Sequence, residues 1–194
     1  MIAAVACLWA SGVYADTLLP LDPAESFLHF TGYSFLHNFQ GEAKAITGSA
    51  TVNMSATPPI QTAKLIFKTT ELTTLNNKRD ENMKQWMHVD IHPEVDFSLE
   101  KVTPISGDYK TATQQQPARF SVAGTLTLNG VKQRITGEAL GWREKGRLIV
   151  TGGIELNTLK FDLPQIKMVV LTVAPEVKTS YRFSFKLPPE FTQK

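Results

Sequence analysis

The chain has 194 residues, 42% of them hydrophobic, with 20 Lys and Arg against 18 Asp and Glu, a net charge of +2 and a single cysteine. So small a charge, spread over the chain, leaves no nucleic-acid footprint, which takes clustered Lys and Arg, and the apolar content is that of a folded chain rather than a disordered one. One cysteine allows neither an internal disulfide nor a thiolate zinc site.

Residues 1–15 carry no charge and close on Val13-Tyr14-Ala15, the small-x-small pattern that signal peptidase cuts, here before Asp16. The segment reads as a signal peptide that is removed, and it places the protein in the periplasm or outside the cell. No basic residue follows Met1, and the run is too short and too rich in Ala, Gly and Ser for a transmembrane anchor. Cys7 would be the site of any lipid attachment, although Ala4 stands where a lipoprotein signal usually carries Leu. Residues 16–194 then form a single domain without cysteine.

Apolar and polar side chains alternate over 26–34, 41–54 and 60–70, and Thr57-Pro58-Pro59 separates the last two strands. Helical spacing follows over 76–87, where Met83, Trp86 and Met87 fall at i, i+3 and i+4, Thr74 is the expected N-cap and Pro93 marks the end. Strand alternation returns in Val95-Phe97-Leu99. Asn129-Gly130, a pair that tolerates φ > 0 at both positions, predicts a hairpin between strands at 119–128 and 131–143. Leu148-Val150 runs on to Ile154-Leu156. The clearest strand is the last, in which Val177, Thr179, Tyr181, Phe183, Phe185 and Leu187 alternate with Lys178, Ser180, Arg182, Ser184 and Lys186 as a wet face.

One short helix cannot cover the apolar face of seven or eight long strands, so the sheet must hide that face on itself. Strand length favours an all-β, antiparallel, lipocalin-like barrel of about eight strands, because eleven residues span roughly 36 Å and a barrel of that size has room for one ligand. Glycines at 124, 137, 141, 152 and 153 fall inside strands, where they either shape the barrel or make room for a ligand.

Catalytic motifs are missing: there is no G-x-S-x-G, no H-E-x-x-H and no phosphate loop. His88 and His92 have metal-ligand spacing, but Pro93 breaks the helix that would align them, and solvent-facing loop histidines are expected. His29, between Leu28 and Phe30, is expected on the wet face. The expectation is a binding protein without enzymatic activity, metal or cofactor.

Three stretches resemble the YceI-like family of secreted bacterial proteins. The most specific runs from Thr74 through Arg79-Asp80 to Met83 and on through His88, Pro93 and Val95 to Phe97; the second is Gly124-Thr125-Leu126-Thr127-Leu128-Asn129-Gly130-Val131; the third is Ser26 to Phe30 with Gly41 and Gly48. The likeness spans residues 20–187. Asn82 stands where many relatives have His, and Trp86-Met87 replaces their usual Phe pair. The resemblance implies a lipocalin-like barrel that binds polyisoprenoid or other long-chain lipid. It also implies a structural Arg79–Asp80 ion pair that holds the helix.

Burial of a long apolar tail stabilises such a complex by about 0.8 kcal/mol per methylene, so about ten methylenes give roughly 8 kcal/mol before the cost of ordering. The inward sets nominate Leu28, Phe30, Leu65, Phe67, Phe97 and Phe120 as lumen residues. Leu126, Ile154, Tyr181, Phe183 and Phe185 complete the wall, and Met83 and Trp86 close one end. Each of these is equally explained as plain core. The lead reading is a periplasmic or secreted carrier of an isoprenoid, quinone or fatty-acid type of lipid. The alternatives are an outer-membrane barrel, since alternation does not tell inside from outside, or a ligand-free interaction module of the cell envelope. Pairing of two copies into a homodimer is left open.

Overall fold

The computed structural model describes residues 16–34, 37–168 and 171–191. The expected signal peptide, with Cys7, lies outside them. In chain order the strands are β1 (Thr17–Pro20), β2 (Phe27–Ser34), β3 (Phe39–Ala43), β4 (Thr47–Val52), β5 (Ile60–Lys68) and β6 (Leu72–Thr73). The helix α1 (Asn77–Trp86) follows, and then β7 (Glu94–Ser106), β8 (Ala118–Leu128), β9 (Val131–Glu144), β10 (Arg147–Gly153), β11 (Glu155–Asn157), β12 (Lys167–Met168) and β13 (Leu171–Lys186). All pair antiparallel in one continuous order, β1-β4-β5-β7-β8-β9-β10-β13-β2-β3-β6, with β11 and β12 added on β13.

The strand expected over 41–54 is two strands, because the backbone turns at Ala45, whose φ is +51°. That bend closes the barrel. Its first half, β3, pairs with β2, while its second half, β4, pairs with β5 at the other end of the sheet order. One bent segment thus serves as a stave shared by both edges. Counted with it, the wall has eight staves, the others being β5, β7, β8, β9, β10 continued by β11, β13 and β2.

Two short strands that alternation does not reveal seal the corners. β1 pairs with β4, and the residue after it, Leu21, bridges to Phe185 of β13 and donates its amide to Gly48 O at 2.9 Å. β6 pairs with β3. Leu19 and Leu21 are buried in the main core with Ile46, Val52, Leu148 and Phe185.

The Asn129-Gly130 hairpin forms with both residues at positive φ, +51° and +73°, and joins β8 to β9 in unbroken register from Leu128–Val131 to Ala118–Gly141. β10 and β11 keep one register against β13 and are interrupted at Ile154, whose amide donates to the Thr179 hydroxyl oxygen at 3.1 Å. Bulges shift the register of β7 between Leu99 and Lys101 and that of β13 between Val173 and Val177, where Pro175 has no amide to contribute.

Two local expectations are corrected. The N-cap of α1 is Asn76, which accepts the Arg79 amide at 3.0 Å; Thr74 is turned inward and buried. Ser184, expected on the wet face, has no exposure: the N-terminal segment folds over it, with Asp22 donating its amide to Ser184 O and Ser26 Oγ accepting from Ser184 N. Among the described residues, no helix is long and apolar enough to cross a membrane.

Candidate functional site

The inward faces of the staves do not meet in a solid core. They enclose an apolar cavity of about 270 Å³. It runs the length of the barrel, from Pro59 in the β4–β5 loop and Tyr109 in the β7–β8 loop at one end to Trp86 of α1 and Leu163 at the other. All thirteen nominated side chains line it. Leu28 and Phe30 come from β2, Leu65 and Phe67 from β5, Phe97 from β7, and Phe120 and Leu126 from β8. Ile154 lies between β10 and β11, and Tyr181, Phe183 and Phe185 come from β13. Met83 and Trp86 do reach the cavity from α1, where the Trp86 indole is fixed by donating Nε1–H to Pro164 O at 2.7 Å.

Other lining residues escape notice in the sequence for separate reasons. Val95, Leu99 and Val177 belong to strands already seen and follow from their parity. Val102 does not, because the bulge at Leu99–Lys101 turns an outward position inward. Tyr109, Pro58 and Leu163 sit in loops, for which periodicity carries no signal.

The strand glycines have two uses. Gly124 lies beneath the Phe97 ring, and Gly152 beneath the Tyr181 ring: a Cβ on Gly124 would fall 2.6 Å from Phe97 Cε2, and one on Gly152 would fall 2.5 Å from Tyr181 Oη. Each bare backbone leaves space for an aromatic ring, but neighbouring backbone crowds the same positions, Ser98 O at 2.4 Å from a Cβ on Gly124 and Glu138 O at 2.7 Å from one on Gly152, so these glycines also serve the shape of the barrel. At Gly153 the obstacle is the neighbouring backbone, Thr179 O at 2.5 Å, which is a matter of barrel shape.

Among the described residues the lining includes no Lys, Arg, His, Asp or Glu. Besides the Trp86 indole N–H, already given to Pro164, its side-chain polarity is four hydroxyls, on Tyr109, Thr158, Thr179 and Tyr181. Three of them are tied to backbone carbonyls: Tyr109 donates to Met54 O, Thr158 to Pro175 O at 3.2 Å and Thr179 to Ile154 O at 2.9 Å. Burial pushes the Tyr181 phenol up to about 12, so it stays protonated at any physiological pH.

A family model, the YceI-like domain, matches residues 20–185. The chain belongs to the YceI-like family. Solved structures share the fold of this YceI-like chain at low identity. BcnA of Burkholderia cenocepacia superposes with a TM-score of 0.71 at 14% identity, over 84% of this chain and 98% of that one. A polyisoprenoid-binding domain from Saccharophagus degradans, implicated in plant cell wall breakdown, gives 0.68 at 14%, over 89% and 100%. A YceI protein of Campylobacter jejuni gives 0.55 at 17%, over 66% and 72%. No curated relative matches the sequence.

The Arg-Asp pair of the YceI-like motif does not form the expected mutual ion pair. Both side chains grip the Thr73-Thr74 turn instead. Asp80 accepts from the Thr74 amide at 2.8 Å, from the Thr74 hydroxyl and from the Thr73 hydroxyl at 2.7 Å. Arg79 donates Nε–H to Thr74 Oγ1 at 2.8 Å and a terminal N–H to Thr74 O at 3.2 Å. Burial by itself would raise the Asp80 pKa, but the hydrogen bonds from Thr74 and Thr73 outweigh it and hold the carboxyl below its usual value. Arg79 also lies over the Phe39 ring, 5.0 Å from its centroid. The motif anchors the helix that closes the cavity, and neither charged residue lines the lumen.

The histidines sit away from the cavity. His29 is half exposed, with its Nε2 3.9 Å from Glu42 Oε2. His88 Nδ1 lies 3.1 Å from Asn129 Oδ1, and the His92 ring packs over Gly130. Among the described residues no three of His, Cys, Asp and Glu gather as a metal site.

Proposed function

We propose that this YceI-like protein holds a long-chain apolar lipid, of isoprenoid, quinone or fatty type, in the barrel lumen, and that it is a binding protein rather than an enzyme. The observation that carries the reading is the cavity itself: long, free of charged groups among the described residues, and lined by side chains from seven of the eight staves and by Ile46 at the bend of the eighth. Such a lumen suits an aliphatic chain, whose burial contributes about 0.8 kcal/mol per methylene, and Met83 and Met87 at the helical end can adapt to its shape. The polyisoprenoid-binding domain of shared fold supports the same ligand class.

The outer face favours a barrel in water over one embedded in a membrane. Arg119 pairs with Glu138 at 2.6 Å, Arg134 with Glu100 at 3.1 Å and Lys178 with Glu155 at 3.8 Å, all on exposed side chains that hydrocarbon would not tolerate. Export to the periplasm or the medium is part of the proposal and rests on the segment before Asp16. N-terminal sequencing of the exported protein is expected to begin at Asp16.

The test of binding is direct. Protein purified from its native cells and extracted with organic solvent should release a stoichiometric lipid by mass spectrometry. Protein that is empty, and that also takes up no quinone, isoprenoid or fatty acid, would sink the proposal.

A further inference from the structure

The lumen holds one hydroxyl that the protein does not use. Tyr109, Thr158 and Thr179 each spend their proton on a named backbone carbonyl, whereas Tyr181 Oη has no hydrogen-bond partner among the described residues. Its position is defined on all sides. Tyr181 stands opposite Gly152 of β10 and Leu28 of β2, its ring lies over Gly152, and it stacks on Phe183 with centroids 4.8 Å apart. The ring is thereby held to the wall, with its polar atom on the surface of an otherwise apolar tunnel.

An unpaired phenol costs free energy in such surroundings. A trapped water is a poor remedy, since it would need two to four polar partners and the neighbouring hydroxyls are already engaged. We propose that Tyr181 is the specificity point of the lumen, donating its hydroxyl proton to an uncharged acceptor oxygen, a ketone, quinone or ester carbonyl, carried by the long apolar ligand. The inference rests on the lumen-binding reading above and narrows it. A carboxylate or phosphate drawn to the same depth would find a single neutral donor and no cation, because no Lys, Arg or His among the described residues lines the cavity. The phenol cannot help by ionising, for burial has moved it the other way.

The experiment presents the purified protein with an equimolar mixture of palmitate, a methyl ketone of the same chain length and the terminal alkene of that length, and quantifies the bound fraction of each by mass spectrometry at neutral pH. The Tyr181→Phe variant, which removes only an unpartnered hydroxyl and should melt no lower than the parent, is run beside it. One neutral hydrogen bond is worth roughly a twofold to tenfold change in affinity, so the bound ketone-to-alkene ratio should fall by that factor in the variant. In the parent protein, palmitate should be bound less than the ketone. An unchanged ratio with both probes bound, or palmitate bound as well as the ketone, overturns this inference and leaves lumen binding standing. Uptake of none of the three by the parent protein overturns lumen binding itself and this inference with it.

Discussion

Asp80 is the position where a single substitution separates scaffold from binding site. Its carboxylate is buried and satisfies three donors at once: the Thr74 amide, the Thr74 hydroxyl and the Thr73 hydroxyl. In Asp80→Ala the two hydroxyls can rotate toward other acceptors, but the buried Thr74 amide cannot. A hydrogen bond to a charged acceptor contributes about 1.5–3 kcal/mol and a stranded buried donor costs about 1–3 kcal/mol, so the net loss should be about 3 kcal/mol. For a domain of this size that lowers the melting temperature by roughly 6–12 °C. The pH dependence has a definite sign. Because the folded-state pKa lies below the ordinary value of 3.8, the carboxylate stabilises the fold fully above that value, and the contribution is lost as pH falls through the lower folded-state pKa. Thermal melts followed by circular dichroism should therefore show a wide gap between parent and variant at neutral pH that narrows in acid below 3.8. A variant that melts within about 2 °C of the parent at neutral pH, yet no longer carries lipid, would refute the anchoring role and make Asp80 a ligand contact.

Three further outcomes are expected. In Gly152→Ala the new methyl would meet Tyr181 Oη at 2.5 Å and Glu138 O at 2.7 Å, costing about 1–3 kcal/mol of overpacking; Tyr181→Leu in the same chain should recover part of that, and strict additivity of the two melting shifts would contradict the stacked arrangement. Trp86 lines the cavity while Trp142 lies outside it under Arg182, 5.5 Å from the ring centroid, so lipid uptake should alter indole fluorescence in the parent and in Trp142→Phe but not in Trp86→Phe. Arg147 hydrogen bonds to Asp22 and, at 3.2 Å, to Ser184, so Arg147→Met should speed amide hydrogen exchange at Leu21 and Asp22, and unchanged protection there would show that the pair does not hold the N-terminal segment.

Alternation along the chain was enough to identify the barrel wall, because a side-chain period of two leaves each strand only one choice of inward face once one face is apolar. Phe120 and Leu126, or Tyr181, Phe183 and Phe185, line the lumen for that reason alone. The Asn129-Gly130 turn was equally legible, since few residue pairs accept positive φ twice in succession. Closure was not legible. It depends on a left-handed residue at Ala45, on the four residues of β1 and on the two of β6, none of which repeats long enough to produce a pattern. The bulge left a mark of another kind: at Leu99–Lys101 two polar residues, Glu100 and Lys101, stand side by side where alternation asks for one, and only the pairing shows that the backbone slips there by one and turns Val102 inward. Hydrogen-bond partners also belong to the third dimension. The motif named Arg79 and Asp80 as a pair, and only the fold shows both reaching Thr74. Composition and periodicity thus determined that this chain has apolar faces to hide and on which residues they lie. Whether those faces met as a solid core or stood apart around a cavity was decided by the tertiary structure, where glycines leave space for aromatic rings and one tyrosine hydroxyl is left facing the space between.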